Sequence, residues 1–121
     1  MFHQIGAALY VFWGVLHIGA AADGVRLART VDDGPVRGRL MQNAWHLAVF
    51  SVTAIAVAVT MNWHNSVTGY WINLVAVSAC DIGFILFVLL PKRIPLFPGL
   101  VGPVIWLLAA AFSTAGVMAL R

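Results

Sequence analysis

The chain reads as four long apolar runs separated by short polar interruptions. The runs cover residues 5–22, 40–61, 68–90 and 98–120, and the first extends as a helical pattern to Arg29. About 20 mostly apolar residues suffice to cross the hydrocarbon of a bilayer as a helix, and each run is close to that length. The interruptions carry the chemistry of helix ends. Asp32-Asp33-Gly34-Pro35 is a turn that launches a helix, with an aspartate able to cap it and a proline suited to its first turn. Asn62-Trp63-His64-Asn65-Ser66 is a short polar turn. Pro91-Lys92-Arg93-Ile94-Pro95 ends the third run, because proline cannot continue the backbone ladder. Strands of a membrane barrel would be short and alternating, so the expected fold is all-α. The pattern predicts one domain, residues 1–121, folded as an integral membrane four-helix bundle with four transmembrane helices.

Composition sharpens the membrane reading. Of 121 residues, 62% are hydrophobic and 9% charged, against roughly 25% charged in a soluble domain. So few charges cannot cover a water-facing surface, which argues against a soluble, disordered or nucleic-acid-binding chain. The formal net charge of +3 is too small an excess to suggest nucleic acid. The first run has the length of a secretion signal. However, residues 1–4 hold no Lys or Arg, and the run contains Trp13 and His17, so it is read as a retained membrane helix. The one cysteine, Cys80, lies within the third run. It can form no disulfide within the chain and reads as a small core residue.

Charge placement sets the expected orientation. With four spans, the loops after the first and third share one side. They hold Arg26, Arg29, Arg37, Arg39, Lys92 and Arg93, six of the seven basic residues. Basic loops stay in the cytoplasm, so both termini are expected outside, in a plasma (bacterial inner) membrane. Arg37 and Arg39 suit lipid phosphates. Trp63, Tyr70 and Trp71 suit an aromatic belt at the outer interface, where His3 and His64 also fall.

Ionisable groups at membrane depth are expensive and usually face the bundle interior. Here they are His17, His46 and Asp81. His17 lies six residues before Asp23 and His46 seven after Arg39, so both sit roughly 10 Å inward from the same face. Asp81 lies ten residues before Pro91, roughly 15 Å inward. Tyr10, Trp13, His17, Ala21 and Gly24 share one helical stripe. Arg39, His46, Thr53 and Thr60 recur every seven residues, the spacing of a seam against a neighbouring helix. In the third run Asn73, Val77, Asp81 and Phe84 share half of the helix, and in the fourth Trp106, Ala109, Ala110, Ser113 and Gly116 form a small-residue face. These stripes predict one cytoplasmic-half pocket. Its working groups would be His17, His46 and Asp81, with Trp13, Asn43, Trp45, Asn73 and Trp106 as its walls.

Several chemistries fit that pocket. A carboxyl and imidazoles in a dry site can move a proton, as an isomerase, cyclase or epoxide-opening enzyme acting on a hydrophobic, lipid-like small molecule requires. Aromatic walls would hold the substrate and stabilise a developing cation. Two histidines on adjacent helices could instead ligate haem b, although bulky Trp45 beside His46 crowds such a plane. Transport is a further reading, with too few polar residues for an evident path. His17, His46 and Asp81 are also chemically acceptable zinc ligands, without ligand-like spacing, so no metal or other cofactor is expected. The alternative to all of these is a non-catalytic accessory or assembly subunit, in a homo-oligomer or a larger membrane complex, whose polar residues fix helix register.

Overall fold

The computed structural model describes residues 1–121 and is all-helical, with no strand. Helix α1 runs Phe2–Arg29 and α2 runs Pro35–Thr60. A 3₁₀ turn, Asn62–His64, leads to α3, Val67–Phe84, which continues as a π-helical turn over Ile85–Leu89. A short helix α4, Leu96–Gly99, precedes α5, Val101–Met118. Four helical segments are long and apolar enough to cross a membrane. The helices start up to five residues earlier than the apolar runs, because helical backbone continues through flanking polar positions that hydropathy does not count.

The connections are fixed by local hydrogen bonds. Arg26 and Arg29 lie in the last turn of α1, where cations favour the helix dipole. The Arg37 guanidinium reaches back and donates to two of that helix's last carbonyls, Nε to Ala28 O at 3.0 Å and Nη2 to Arg29 O at 3.1 Å. The expected aspartate cap on α2 does not form. Gly34 occupies the cap position with no side-chain bond, and Pro35 starts the helix, where its missing N–H costs nothing. In the next turn Asn65 is left-handed (φ 57°), a conformation asparagine tolerates better than most residues. Its Nδ2 donates to Gly116 O at 2.9 Å, pinning the turn to α5. Ser66 caps α3 by accepting from the Gly69 amide.

Helix α1 is the centre of the bundle, packed most extensively against α2 and α5. Small residues allow this closeness. A Cβ on Gly14 would meet Ser51 O and Ile55 Cδ1, each at 2.9 Å, and one on Gly6 would meet the Ser113 amide at 2.9 Å. Gly24 faces Ala44. The core is Ala7, Tyr10, Trp13, Ala54, Ala58, Val77 and Ala109. Only 24 of 121 residues are buried, while large apolar side chains such as Phe12, Phe87 and Val75 stand outward. The outer surface is therefore apolar and the interior holds the buried polar groups Ser51, Asn62, Asn73, Asp81 and Ser113. Of the three residues expected in an aromatic belt, Trp63 and Trp71 stand outward. Tyr70 turns inward, because its hydroxyl finds Thr114 Oγ1 at 3.0 Å on α5.

Candidate functional site

Trp13, His17 and Asp81 meet where α1, α3 and α5 converge. Trp13 and His17 are one helical turn apart on α1, so their rings stack with centroids 3.9 Å apart and planes 20° off parallel. Asp81 projects from α3 and is 1% exposed. Trp13 Nε1 donates to its Oδ2 at 3.0 Å, a bond buried between two helices. Its other oxygen, Oδ1, faces His17 Nε2 at 3.7 Å and has no hydrogen-bond partner.

The imidazole's other nitrogen fixes how this pair can work. His17 Nδ1 lies 2.7 Å from the Trp13 carbonyl oxygen. A carbonyl only accepts, so Nδ1 carries a proton. In a neutral ring that leaves Nε2 as a bare lone pair. It then faces a carboxylate oxygen that is also an acceptor. One proton between them satisfies both, whether it resides on the imidazole or on the carboxyl. The geometry therefore lets His17 and Asp81 share one proton on a small closure of their 3.7 Å separation, with Trp13 holding the far oxygen. Gly102 of α5 makes room for the ring, since a Cβ there would lie 3.0 Å from His17 Cε1 and 3.1 Å from Nε2. The His17 side chain keeps 14% of its exposure, so the pair is closed on the Asp81 side and open at the imidazole edge.

The other expected pocket residues lie elsewhere. His46, Asn43 and Trp45 are exposed, Trp45 at 69%. The face of α2 that meets the bundle carries Ala44, Ser51, Ala54 and Ala58. Two residues of helix turn the chain by about 200°, which directs His46 away from the side of Ala44. The three residues consequently do not join His17 and Asp81 within one chain. Nor do His17 and His46 face one another as axial ligands would, because His17 Nε2 is turned to Asp81. No group of three or more His, Cys, Asp or Glu side chains comes together to hold a metal ion. Trp106 lies near the cluster, donating from Nε1 to Ser78 Oγ at 2.9 Å, one turn before Asp81.

Asn73 lies eight residues, roughly 12 Å, from Asp81 along α3. It is fully buried and bolts α3 to α2, its Nδ2 donating to Ala54 O at 3.1 Å and to Asn62 Oδ1 at 2.8 Å. Around it sits a second polar region that the sequence reading missed. His3, Asn62, Asn65, Ser66, Tyr70 and Ser113 line a narrow crevice at the end of the bundle that carries Met1. Tyr10 Oη, Asn73 Oδ1 and Ser113 Oγ are buried without a hydrogen-bond partner. The signal lay in Gly6 and Gly116, whose small size lets Ser113 and His3 close on them, but it is split between α1 and α5 and is invisible along either one. A separate apolar groove of about 320 Å³ lies on α1 and α2, lined by Ala7, Ala8, Val11, Val59 and Trp63. Neither the crevice nor the groove includes Asp81. No protein-family model, no curated protein and no solved structure matches this chain.

Proposed function

We propose that the chain is a small integral membrane protein in which the His17–Asp81 pair performs acid–base chemistry on a hydrophobic small molecule taken from the bilayer. The carrying observation is the opposed His17 Nε2 and Asp81 Oδ1, 3.7 Å apart, with Nδ1 committed to a carbonyl. A pair that holds one proton between two bases can give it to a substrate atom and take one back. The imidazole edge, beside Gly102, is the contact point, and Asp81 sets the charge and orientation of the ring. Isomerisation, cyclisation and epoxide opening are the reactions that need no more than this.

The topology belongs to the same proposal. The ends carrying Arg26, Arg29, Arg37, Arg39, Lys92 and Arg93 face the cytoplasm, and both termini, with Trp63 and Trp71, face outward across a plasma membrane. A second reading, an accessory subunit without catalysis, is favoured by the near-complete burial of Asp81 behind Trp13.

Solvent isotope labelling separates the two. Purified protein in proteoliposomes is incubated with an apolar lipid extract in deuterated or ¹⁸O-labelled water, and products are read by mass spectrometry. Carbon-bound deuterium or ¹⁸O appearing in defined lipid species with the wild type and not with Asp81→Asn supports the enzyme. Labelling identical in wild type, Asp81→Asn and empty vesicles refutes it and leaves the accessory reading.

A further inference from the structure

The seven-residue stripe on α2 does have the spacing of a seam, and the structure turns it away from the chain's own helices. Arg39, His46, Thr53 and Thr60 are all exposed. So is Asn43, four residues after Arg39, and Phe50 seven residues later, while Val57 a further seven on is half-buried. Together these are two interleaved heptad series. Asn43, Phe50 and Val57 take one set of positions, and Arg39, His46, Thr53 and Thr60 the other. Spacings alternating between four and three define the a and d seam of a left-handed two-helix contact.

Within the chain this seam has no partner. The side-chain hydrogen bonds made from α2 are those of Arg37, Arg39, Ser51 and Thr60, and Asn43, His46 and Thr53 make none. If the helix spans a bilayer, an amide, an imidazole and a hydroxyl would face hydrocarbon at a cost of several kcal/mol. Something covers them.

We propose that the cover is the same stripe of a second copy, the two α2 helices packing side by side and parallel about a two-fold axis. Two observations select a copy over an unrelated partner. First, a two-fold axis sets each residue opposite itself. Asn43, Thr53 and an uncharged imidazole each hold both a donor and an acceptor, so Asn43, His46 and Thr53 are each complementary to their own image, while Thr60 spends its hydroxyl proton on Ala56 O. Second, Asn43 is the single polar residue of the a series. A lone asparagine at such a position fixes register and favours an in-register pair, while Phe50 and Val57 supply the apolar knobs. Arg39, the one charge, lies at the end of the stripe, where its Nη1 already donates to Gln42 at 3.0 Å and water reaches it.

This inference rests on the membrane reading and is independent of any catalysis. Carbonate extraction of native membranes tests the former alone: release of the chain into the supernatant refutes membrane insertion and the pairing with it. The pairing itself is read by cysteine crosslinking in a Cys80→Ser background, with purified protein in proteoliposomes at high lipid ratio. Phe50→Cys and Val57→Cys lie on the seam, whereas Val52→Cys and Val59→Cys lie at similar depth off it and are more open to lipid than the seam pair, so exposure alone would favour the off-seam reaction. Copper–phenanthroline should convert the seam pair to disulfide dimers about tenfold faster than the off-seam pair, the contrast expected of a defined heptad interface. Adding Asn43→Ala and His46→Ala should slow the Val57→Cys reaction severalfold, and neither side chain packs inside the chain. Equal rates on and off the seam, or a rate indifferent to Asn43→Ala and His46→Ala, overturns the proposal.

Discussion

Replacing Asp81 by asparagine and by leucine separates a hydrogen-bonding role in folding from a proton-bearing one. In Asp81→Asn the amide oxygen can take the place of Oδ2 and accept from Trp13 Nε1, now at 3.0 Å. The amide nitrogen then takes the place of Oδ1 and donates to His17 Nε2, whose lone pair is set by the Nδ1 bond to the Trp13 carbonyl. Only a closure from 3.7 Å to about 3.0 Å is needed for that bond to form. Asparagine thus reproduces both contacts without a proton to exchange, and its expected cost is under about 1 kcal/mol. Leucine reproduces neither. It strands the Trp13 N–H, which is wholly buried, at about 1–3 kcal/mol. Because the membrane-unfolded chain also finds partners, the lower half of that range, about 1–2 kcal/mol, is expected. Equilibrium unfolding by sodium dodecyl sulfate in lipid–detergent micelles, followed by tryptophan fluorescence, measures both variants. Asparagine should unfold near wild type and leucine distinctly earlier. An asparagine variant as unstable as the leucine variant refutes the arrangement, because it would mean that the charge of the carboxylate, and not its two hydrogen-bonding positions, holds α1 to α3.

Other perturbations follow from the packing. Gly102→Ala puts a methyl about 3 Å from the His17 ring, costs about 1 kcal/mol, and should reduce solvent-isotope labelling of lipids more than it lowers the unfolding midpoint. Gly14→Ala drives a carbon onto the Ser51 carbonyl and Ile55 and should destabilise by about 1–3 kcal/mol. Gly19→Ala meets nothing within 4 Å and should be neutral or stabilising by up to about 1 kcal/mol, both read by the same unfolding titration. In intact cells lacking Cys80, a membrane-impermeant maleimide should label His64→Cys directly and Asp33→Cys only after permeabilisation; the reverse order would refute the proposed topology.

How much of this was legible depended on whether a single helix carried the signal. The four apolar runs and the polar turns are local, and the observed helices fall on them. The Trp13–His17 stack is local too, since a spacing of four places both rings on one face. Asp81 was identifiable because an acid in an apolar run is conspicuous. Which of the two intramembrane histidines it meets was not identifiable, because depth alone does not tell the side of a helix. The decision comes from the small residues. Ala44, Ser51, Ala54 and Ala58 let α2 approach α1 closely, and they face about 130° away from His46 by helical rotation. A heptad of polar residues was read as an interior seam because polarity usually hides inside a membrane bundle. On α2 the small residues won the inner face, and the polar heptad was left outside.

That competition orders the polar groups by how completely the fold satisfies them. Asn73 donates two bonds inside the chain and serves as a bolt between α2 and α3. Asp81 has one oxygen held by Trp13 and the other turned, unbonded, toward a histidine lone pair. Asn43, His46 and Thr53 are exposed, with no bond inside the chain. With both bonds of its amide nitrogen committed to tying α3 to α2 and to the turn after it, and only Oδ1 left unpartnered, Asn73 is structural. In the proposed function, the half-satisfied Asp81–His17 pair is where a proton would be exchanged with another molecule. The unsatisfied stripe on α2 is where the proposed pairing with a second copy would supply the missing partners. The three proposed roles thus rest on the hydrogen-bond count of each residue, more than on its depth or its chemical type.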